Sequence, residues 1–292
     1  MTTRVSQDGT EGRALRPVDL RSRLQFLHPE RLLELWDLPQ QPQSDVSLLS
    51  AIFGTNAQAY EAMRAEFRGA VHQAANEVLE TPAVREAVER LPIGEGETVV
   101  AVGDSITDDY QSWAEILRAV LSIKRPNNTV SVVNAGISGD TTFDVLRRSW
   151  KISASRPDWV IALIGTNDAR RDRATGEMLV SHAETERNLR LIRCASLAAG
   201  SRRVVWITPP PVLEDRIERD ERASARGVFW LNKDIEQKAL LVRRQPDIVA
   251  DVAAAFLSSP IRDLLLPDGL HPSLNGQKCI FSALVRTLAS CG

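Results

Sequence analysis

The sequence predicts an α/β protein, a three-layer α/β/α sandwich with a central parallel sheet of about five strands and a helical extension in front of it. Three observations carry this. From residue 96 onward, short β-branched runs alternate with amphipathic helical patterns, as βαβ units require. Those runs are continuously apolar, which marks strands covered on both faces. Residues 1–95, in contrast, show helical periodicity only.

The elements follow in chain order. The first twenty or so residues are polar and Gly-containing, and are expected to be disordered. Residues 29–38 (PERLLELWDL) form a short helical candidate ended by Pro39, and QQPQS then reads as a linker. A stronger helix starts near Thr55 or Asn56, either of which can act as N-cap. Its apolar stripe is Tyr60, Met63, Phe67, Val71, Ala74 and Val78. Thr81-Pro82 restarts a helix in the preferred cap-then-proline order, with Val84, Val88 and Leu91 on one face. The pattern changes at Pro92, so two regions are expected: residues 1–95 as a helical extension and 96–292 as one α/β unit.

Five strand candidates lie in the second region: ETVVAVGDS, TVSVVN, WVIALIG, RVVWIT and a weaker DIVADV. Between and after them come helical stretches marked by Trp113, Ile116, Leu117, Val120 and Leu121, then near residues 141–150, 177–198 and 274–289. Open parallel sheets bind ligands beyond the carboxyl ends of their strands. Three segments with unusual chemistry sit directly after strand candidates: GDSIT (103–107), NAGISGDTT (134–142) and IGTND (164–168). A fourth, DGLHP (268–272), immediately precedes the last helix. Together they supply a serine, two glycines, an asparagine, and an Asp and a His three residues apart. Those are the parts for acyl transfer: a nucleophile, a base, a group that orients the base, and oxyanion donors.

These four blocks, in this order, resemble the SGNH (GDSL-type) serine hydrolase/esterase superfamily, named for its Ser, Gly, Asn and His. The resemblance spans residues 97–292 and does not reach the first 95. It implies the flavodoxin-like fold of that superfamily. It also implies Ser105 as nucleophile, His271 as base and Asp268 as the carboxylate that holds the imidazole tautomer. The oxyanion hole would comprise the Ser105 N–H, the Gly139 N–H and the Asn167 amide, with Gly139 the functional glycine in preference to Gly136. Asp104, Thr107, Asp140 and Asp168 flank the blocks and are expected to make structural hydrogen bonds, since an unpaired buried acid beside a nucleophile is costly. His28, His72 and His182 sit in helical candidates without polar company.

Arg170 and Arg171, with Arg173, follow Asn167 and either recognise an anionic substrate group by bidentate pairing or belong to a solvated loop. Residues 209–230 are the longest candidate active-site loop. At its end Phe229 and Trp230 either wall a pocket or begin the core face of the next helix. The superfamily includes esterases, thioesterases, carbohydrate deacetylases and acyltransferases. With 5% aromatic residues and no long apolar lid, hydrolysis of a short acyl ester of a small soluble substrate is the expected activity. Acyl transfer to a small metabolite through the same acyl-enzyme is the alternative, with the N-terminal helices excluding water. The Tyr60–Met63–Phe67 stripe would either pack on the α/β unit or form a homodimer surface.

Composition limits partners. A formal net charge of -2 carries no nucleic-acid footprint. Three scattered cysteines, Cys194, Cys279 and Cys291, suggest neither a disulfide framework nor a zinc site. No cofactor, metal or membrane association is expected. The N-terminal stretch has no apolar secretory core, and a cytoplasmic location is the expectation.

Overall fold

The computed structural model describes residues 17–31, 45–127 and 129–291. Strands β1 (Thr98–Gly103), β2 (Ser131–Asn134), β3 (Trp159–Leu163), β5 (Arg203–Ile207) and β7 (Ile248–Ala250) form one sheet in the order β2-β1-β3-β5-β7. Every neighbouring pair in it is parallel. A two-residue antiparallel ladder joins β4 (Arg171–Asp172) to β6 (Val228–Phe229). The strand order reverses at β1, so the crevice between the ends of β1 and β3 is the switch point at which such sheets bind ligands. Gly103 at the end of β1 pairs with Leu163 at the end of β3. The segments carrying Ser105 and Asn167 therefore leave the sheet side by side.

Successive strand side chains point to opposite faces, and both faces are dry. Val99, Ala101, Trp159, Ile161, Leu163, Val205 and Ile207 share a core with residues of helices Ala57–Glu80, Pro82–Glu89, Trp113–Lys124 and Leu274–Ser290. Val100, Val102, Val160, Ala162, Val204 and Trp206 pack on the other face against Val145, Ile152, Leu189, Ile192, Leu241 and Val242. Fully covering both faces explains why the strand runs are apolar throughout and not alternating.

The N-terminal helices share this core. Val71, Ala74, Ala75 and Val78 join the first cluster. Tyr60 and Phe67, at 1% and 0% exposure, close a separate cluster with Leu24, Leu49 and Phe53. Within the chain, the Tyr60–Met63–Phe67 stripe packs mostly on the other N-terminal helices, with Tyr110 of the α/β unit against the same cluster. Burying an aromatic of this size contributes about 1.5–3 kcal/mol.

Three boundaries differ from the sequence expectation, and a fourth is only partly covered by the described residues. The expected disorder of the first twenty residues lies largely outside the described residues, but a helix already runs over Pro17–Phe26. It is ordered because Leu20 and Leu24 reach the Tyr60–Phe67 cluster. Of the helix expected over 29–38, residues 29–31 are helical and the rest fall outside the described residues. The stretch at 141–150 is two helices, Thr142–Arg147 and Ser149–Ala154. The helix expected from 177 begins at His182. Residues 177–179 instead run antiparallel to 170–172, with the Leu179 N–H donating to the Arg170 carbonyl at 2.7 Å. Tertiary pairing overrides local propensity there.

Among the described residues, no helix is long and apolar enough to cross a membrane.

Candidate active site

Ser105 is the first residue of a one-turn helix, Ser105–Asp108, entered straight from β1. Asp104 caps that turn by accepting the Ile106 N–H at 3.0 Å. The turn is tight. A Cβ on Gly103 would lie 2.9 Å from the Thr107 Cβ, and one on Gly136 would lie 2.6 Å from the Asp108 nitrogen. Glycine at both positions lets the β1 and β2 ends close on the turn that presents Ser105.

The DGLHP loop brings His271 to Ser105 across 166 residues of sequence. His271 Nε2 lies 3.0 Å from Ser105 Oγ, and His271 Nδ1 lies 2.8 Å from Asp268 Oδ2. Asp268 Oδ1 accepts the backbone N–H groups of Leu270 and His271 at 2.9 and 3.0 Å. Gly269 supplies the left-handed conformation, φ +74°, that lets the loop fold back on its own carboxylate. The Leu213 N–H donates to the Gly269 carbonyl and the Leu266 N–H to the His271 carbonyl, both at 2.8 Å. The carboxylate, imidazole and hydroxyl thus form one chain of hydrogen bonds on a pinned loop.

Gly139 and Asn167 lie at the ends of the two strands flanking β1 in the sheet. Gly139 has φ +91°, and a Cβ there would meet nothing within 4 Å, so conformation and not space selects glycine. Asn167 Nδ2 donates to the Asp140 carbonyl at 3.1 Å, which ties the asparagine to the residue next to Gly139. Asp140 is held in turn by Arg148 Nε at 2.6 Å. Asp168 accepts the Thr142 N–H at 2.9 Å and the hydroxyls of Thr142 and Thr185 at 2.5 and 2.9 Å. Thr107 Oγ1 accepts the indole N–H of Trp113 at 3.2 Å. The flanking polar residues are therefore hydrogen-bonded struts.

Electrostatics follow from burial and pairing. Burial alone would raise the Asp268 pKa, but His271 and the loop N–H donors outweigh it and hold the carboxyl well below the usual carboxylate range. Burial opposes charge on His271, yet Asp268, with smaller contributions from Asp104 and Asp109, raises its pKa above the ordinary 6.5. Burial pushes Asp104 and Asp109 each up to about 7. An imidazolium cannot take the Ser105 proton, so activity should be present above the raised pKa and lost as pH falls through it. The acidic limb of a kcat/KM profile is therefore expected above pH 6.5. A limb at or below that value would contradict the pairing.

A cavity of about 370 Å³ opens at Ser105 and His271. Trp230 lines it and donates its indole N–H to the Thr166 carbonyl at 2.9 Å. Arg170, Arg171 and Phe229 are not among its lining residues. Arg171 forks onto Asp234 at 2.6 and 2.9 Å. Phe229 pairs with Arg171 in the β4–β6 ladder and lies under the Arg173 guanidinium. Arg170 is half-buried and feels the Arg226 charge.

Two features of the site escaped sequence reasoning. Phe26, on the N-terminal helix, packs against the His271 ring in a tilted arrangement, with centroids 4.4 Å apart and 33° between planes. Lys238 is fully buried and donates to the Val180 carbonyl at 2.8 Å and to Thr185 Oγ1 at 2.9 Å, bracing the strut under Asp168. Burial lowers its pKa to about 8. Neither residue stands in a motif. Among the described residues, no group of three or more His, Cys, Asp or Glu could hold a metal ion.

A model of the GDSL-like lipase/acylhydrolase family matches residues 101–279. The acetylxylan esterase of Geobacillus stearothermophilus is 28% identical, over 68% of this chain and 96% of that protein. An α/β hydrolase enzyme from the metagenome of Lake Arreo, Spain, has a similar structure at TM-score 0.56 and 24% identity, covering 68% of this chain and 98% of its own. The structure of the Geobacillus esterase gives TM-score 0.53 at 24% identity, covering 67% and 95%. These structural likenesses show the fold.

Proposed function

This chain belongs to the GDSL-like lipase/acylhydrolase family and is a carboxylic ester hydrolase, and from that premise we propose that it cleaves short-chain acyl esters, such as acetyl esters, of a small soluble substrate through an acyl-Ser105 intermediate. The observation that carries this reading is the unbroken chain Asp268–His271–Ser105, with links of 2.8 and 3.0 Å.

The mechanism follows from that chain. Ser105 Oγ attacks the ester carbonyl carbon as His271 Nε2 takes its proton. The Asp268 carboxylate keeps the Nδ1 proton in place and stabilises the imidazolium that results. The carbonyl oxygen becomes an alkoxide stabilised by the Ser105 and Gly139 N–H groups and the Asn167 amide. As the C–O bond breaks, His271 returns the proton to the leaving alcohol. Water, deprotonated by the same imidazole, then attacks the acyl-enzyme, releasing the carboxylic acid and restoring Ser105. The short acyl limit is supported by the modest cavity of about 370 Å³, near the lower end for ligand sites. The named activity of the Geobacillus relative, an acetylxylan esterase, agrees with an acetyl group as the acyl transferred to Ser105.

Asn167→Ala is expected to lower kcat by roughly 10²–10³-fold with little change in KM, the usual cost of one oxyanion donor. Steady-state kinetics check this; a loss confined to KM would remove Asn167 from the transition state. The reading as a whole is tested with p-nitrophenyl esters of increasing acyl length and with acetylated xylooligosaccharides. Acetate and propionate esters should be cleaved faster than octanoate. Absence of hydrolysis across the panel would sink the proposal.

A further inference from the structure

The Pro17–Phe26 helix lies outside the segment that matches the family, 101–279, yet it is fastened to the loops that carry the site. The Tyr110 N–H donates to the Gln25 carbonyl at 3.0 Å, and Gln25 Nε2 reaches both oxygens of Asp109 at 3.1 Å. Ser138 Oγ donates to the Phe26 carbonyl. His28 Nδ1 lies 2.8 Å from Asp108, which also pairs with Arg31. Arg31 donates in addition to the Gly136 carbonyl at 3.2 Å. On the outer side, Leu24 is fully buried against the Tyr60–Phe67 cluster. Every inner anchor is within five residues of Ser105 or lies in the glycine-bearing loop after β2. A segment held this way does not merely cover the α/β unit; it is set in register with the reacting groups.

What it presents there is Phe26, its ring packed at a tilt against His271, and Leu27. With Ser22 and Arg23 of the same helix these two line the cavity, whose apolar lining also includes Ile217, Val228, Trp230 and Leu270. We infer that the N-terminal segment completes the acyl pocket of the esterase, with Phe26 acting both as the wall that limits acyl length and as the positioning residue for the His271 ring. The inference rests on the acyl-Ser105 reading above. Phe26 restrains the imidazole on one face while Asp268 restrains it at Nδ1, so the Nε2 lone pair keeps its aim at Ser105 Oγ. The same ring shields the imidazole from water, and shielding disfavours its charged form.

The test uses the full chain with Phe26→Ala and Phe26→Leu, kinetics on p-nitrophenyl acetate and octanoate, and active-site titration with a small organophosphonate to count competent sites. In Phe26→Ala the octanoate-to-acetate ratio of kcat/KM should rise at least about tenfold, the lower end of what one methylene is worth in an apolar pocket. The kcat on acetate, per titrated site, should fall about tenfold while KM changes less, as expected when a base loses its alignment. Its acidic limb should move to higher pH, because a better-hydrated imidazole holds its proton more readily. Phe26→Leu should move all three readouts in the same direction by less, and it carries the test alone should the alanine variant not fold. A folded variant with unchanged ester ratio and unchanged limb would overturn the inference. If instead the wild type is not labelled at Ser105, the acyl-enzyme reading fails first and takes this inference with it.

Discussion

Replacing Ser105 with alanine is expected to reduce kcat for ester hydrolysis by roughly 10⁵–10⁶-fold, the loss seen when the nucleophile of a serine hydrolase is removed. The magnitude follows from what the hydroxyl does. Water could enter the space left by Oγ, but the acyl-enzyme route would be gone, leaving only electrostatic stabilisation by Gly139 and Asn167 and the orientation of bound ester. The substitution should leave the fold intact. Ser105 Oγ hydrogen-bonds to His271, while the turn itself is held by the Asp104 cap and by the Asp108 N–H, which donates to the Asp104 carbonyl at 2.8 Å. Circular dichroism and thermal melting should therefore match the wild type. An alanine variant within tenfold of wild-type activity would show that another group attacks the ester.

The second large effect is at Asp268. Asp268→Asn should lower kcat by about 10⁴-fold, because an amide facing Nδ1 favours the wrong imidazole tautomer. The loop should survive, since the amide oxygen can still accept the Leu270 and His271 N–H groups that now bond to Oδ1. The pH profile separates this from misfolding. Asp268 is the chief opposite charge raising the His271 pKa, so in the variant burial dominates and the imidazole pKa drops. The residual activity should then persist to lower pH than in the wild type. An unchanged acidic limb would show that Asp268 does not govern the base.

Much of this architecture is legible in the sequence, for a physical reason. Strands buried on both faces must be continuously apolar, so Val99–Val102 and Val160–Leu163 advertise themselves, and the polar blocks that interrupt them fall at strand ends. Ser105, Asn167 and His271 could be placed because each stands in a short block whose chemistry differs sharply from its surroundings. The contacts that make the site whole were less visible. Phe26 is one aromatic in a short helix with no marked apolar stripe, and its partner lies more than two hundred residues away. Lys238 sits in a helix where a surface lysine is the ordinary expectation; only the fold shows it turned inward toward Thr185. Arg171 looked available for an anion because the acid that neutralises it, Asp234, belongs to a helix sixty residues later. Local composition reveals what a strand end carries, but long-range pairing decides which charges remain free for substrate.

The central claim is that Ser105 becomes acylated, and a covalent probe tests it most directly. Wild-type protein treated with a small p-nitrophenyl phosphonate should gain one phosphonyl group per chain by intact-mass spectrometry. Peptide mapping should place the adduct on Ser105, and loss of esterase activity should track labelling one to one. His271→Ala should slow the labelling severely, and Ser105→Ala should not be labelled. An adduct on a different residue, or full ester hydrolysis by protein that the phosphonate leaves unmodified, would contradict the account.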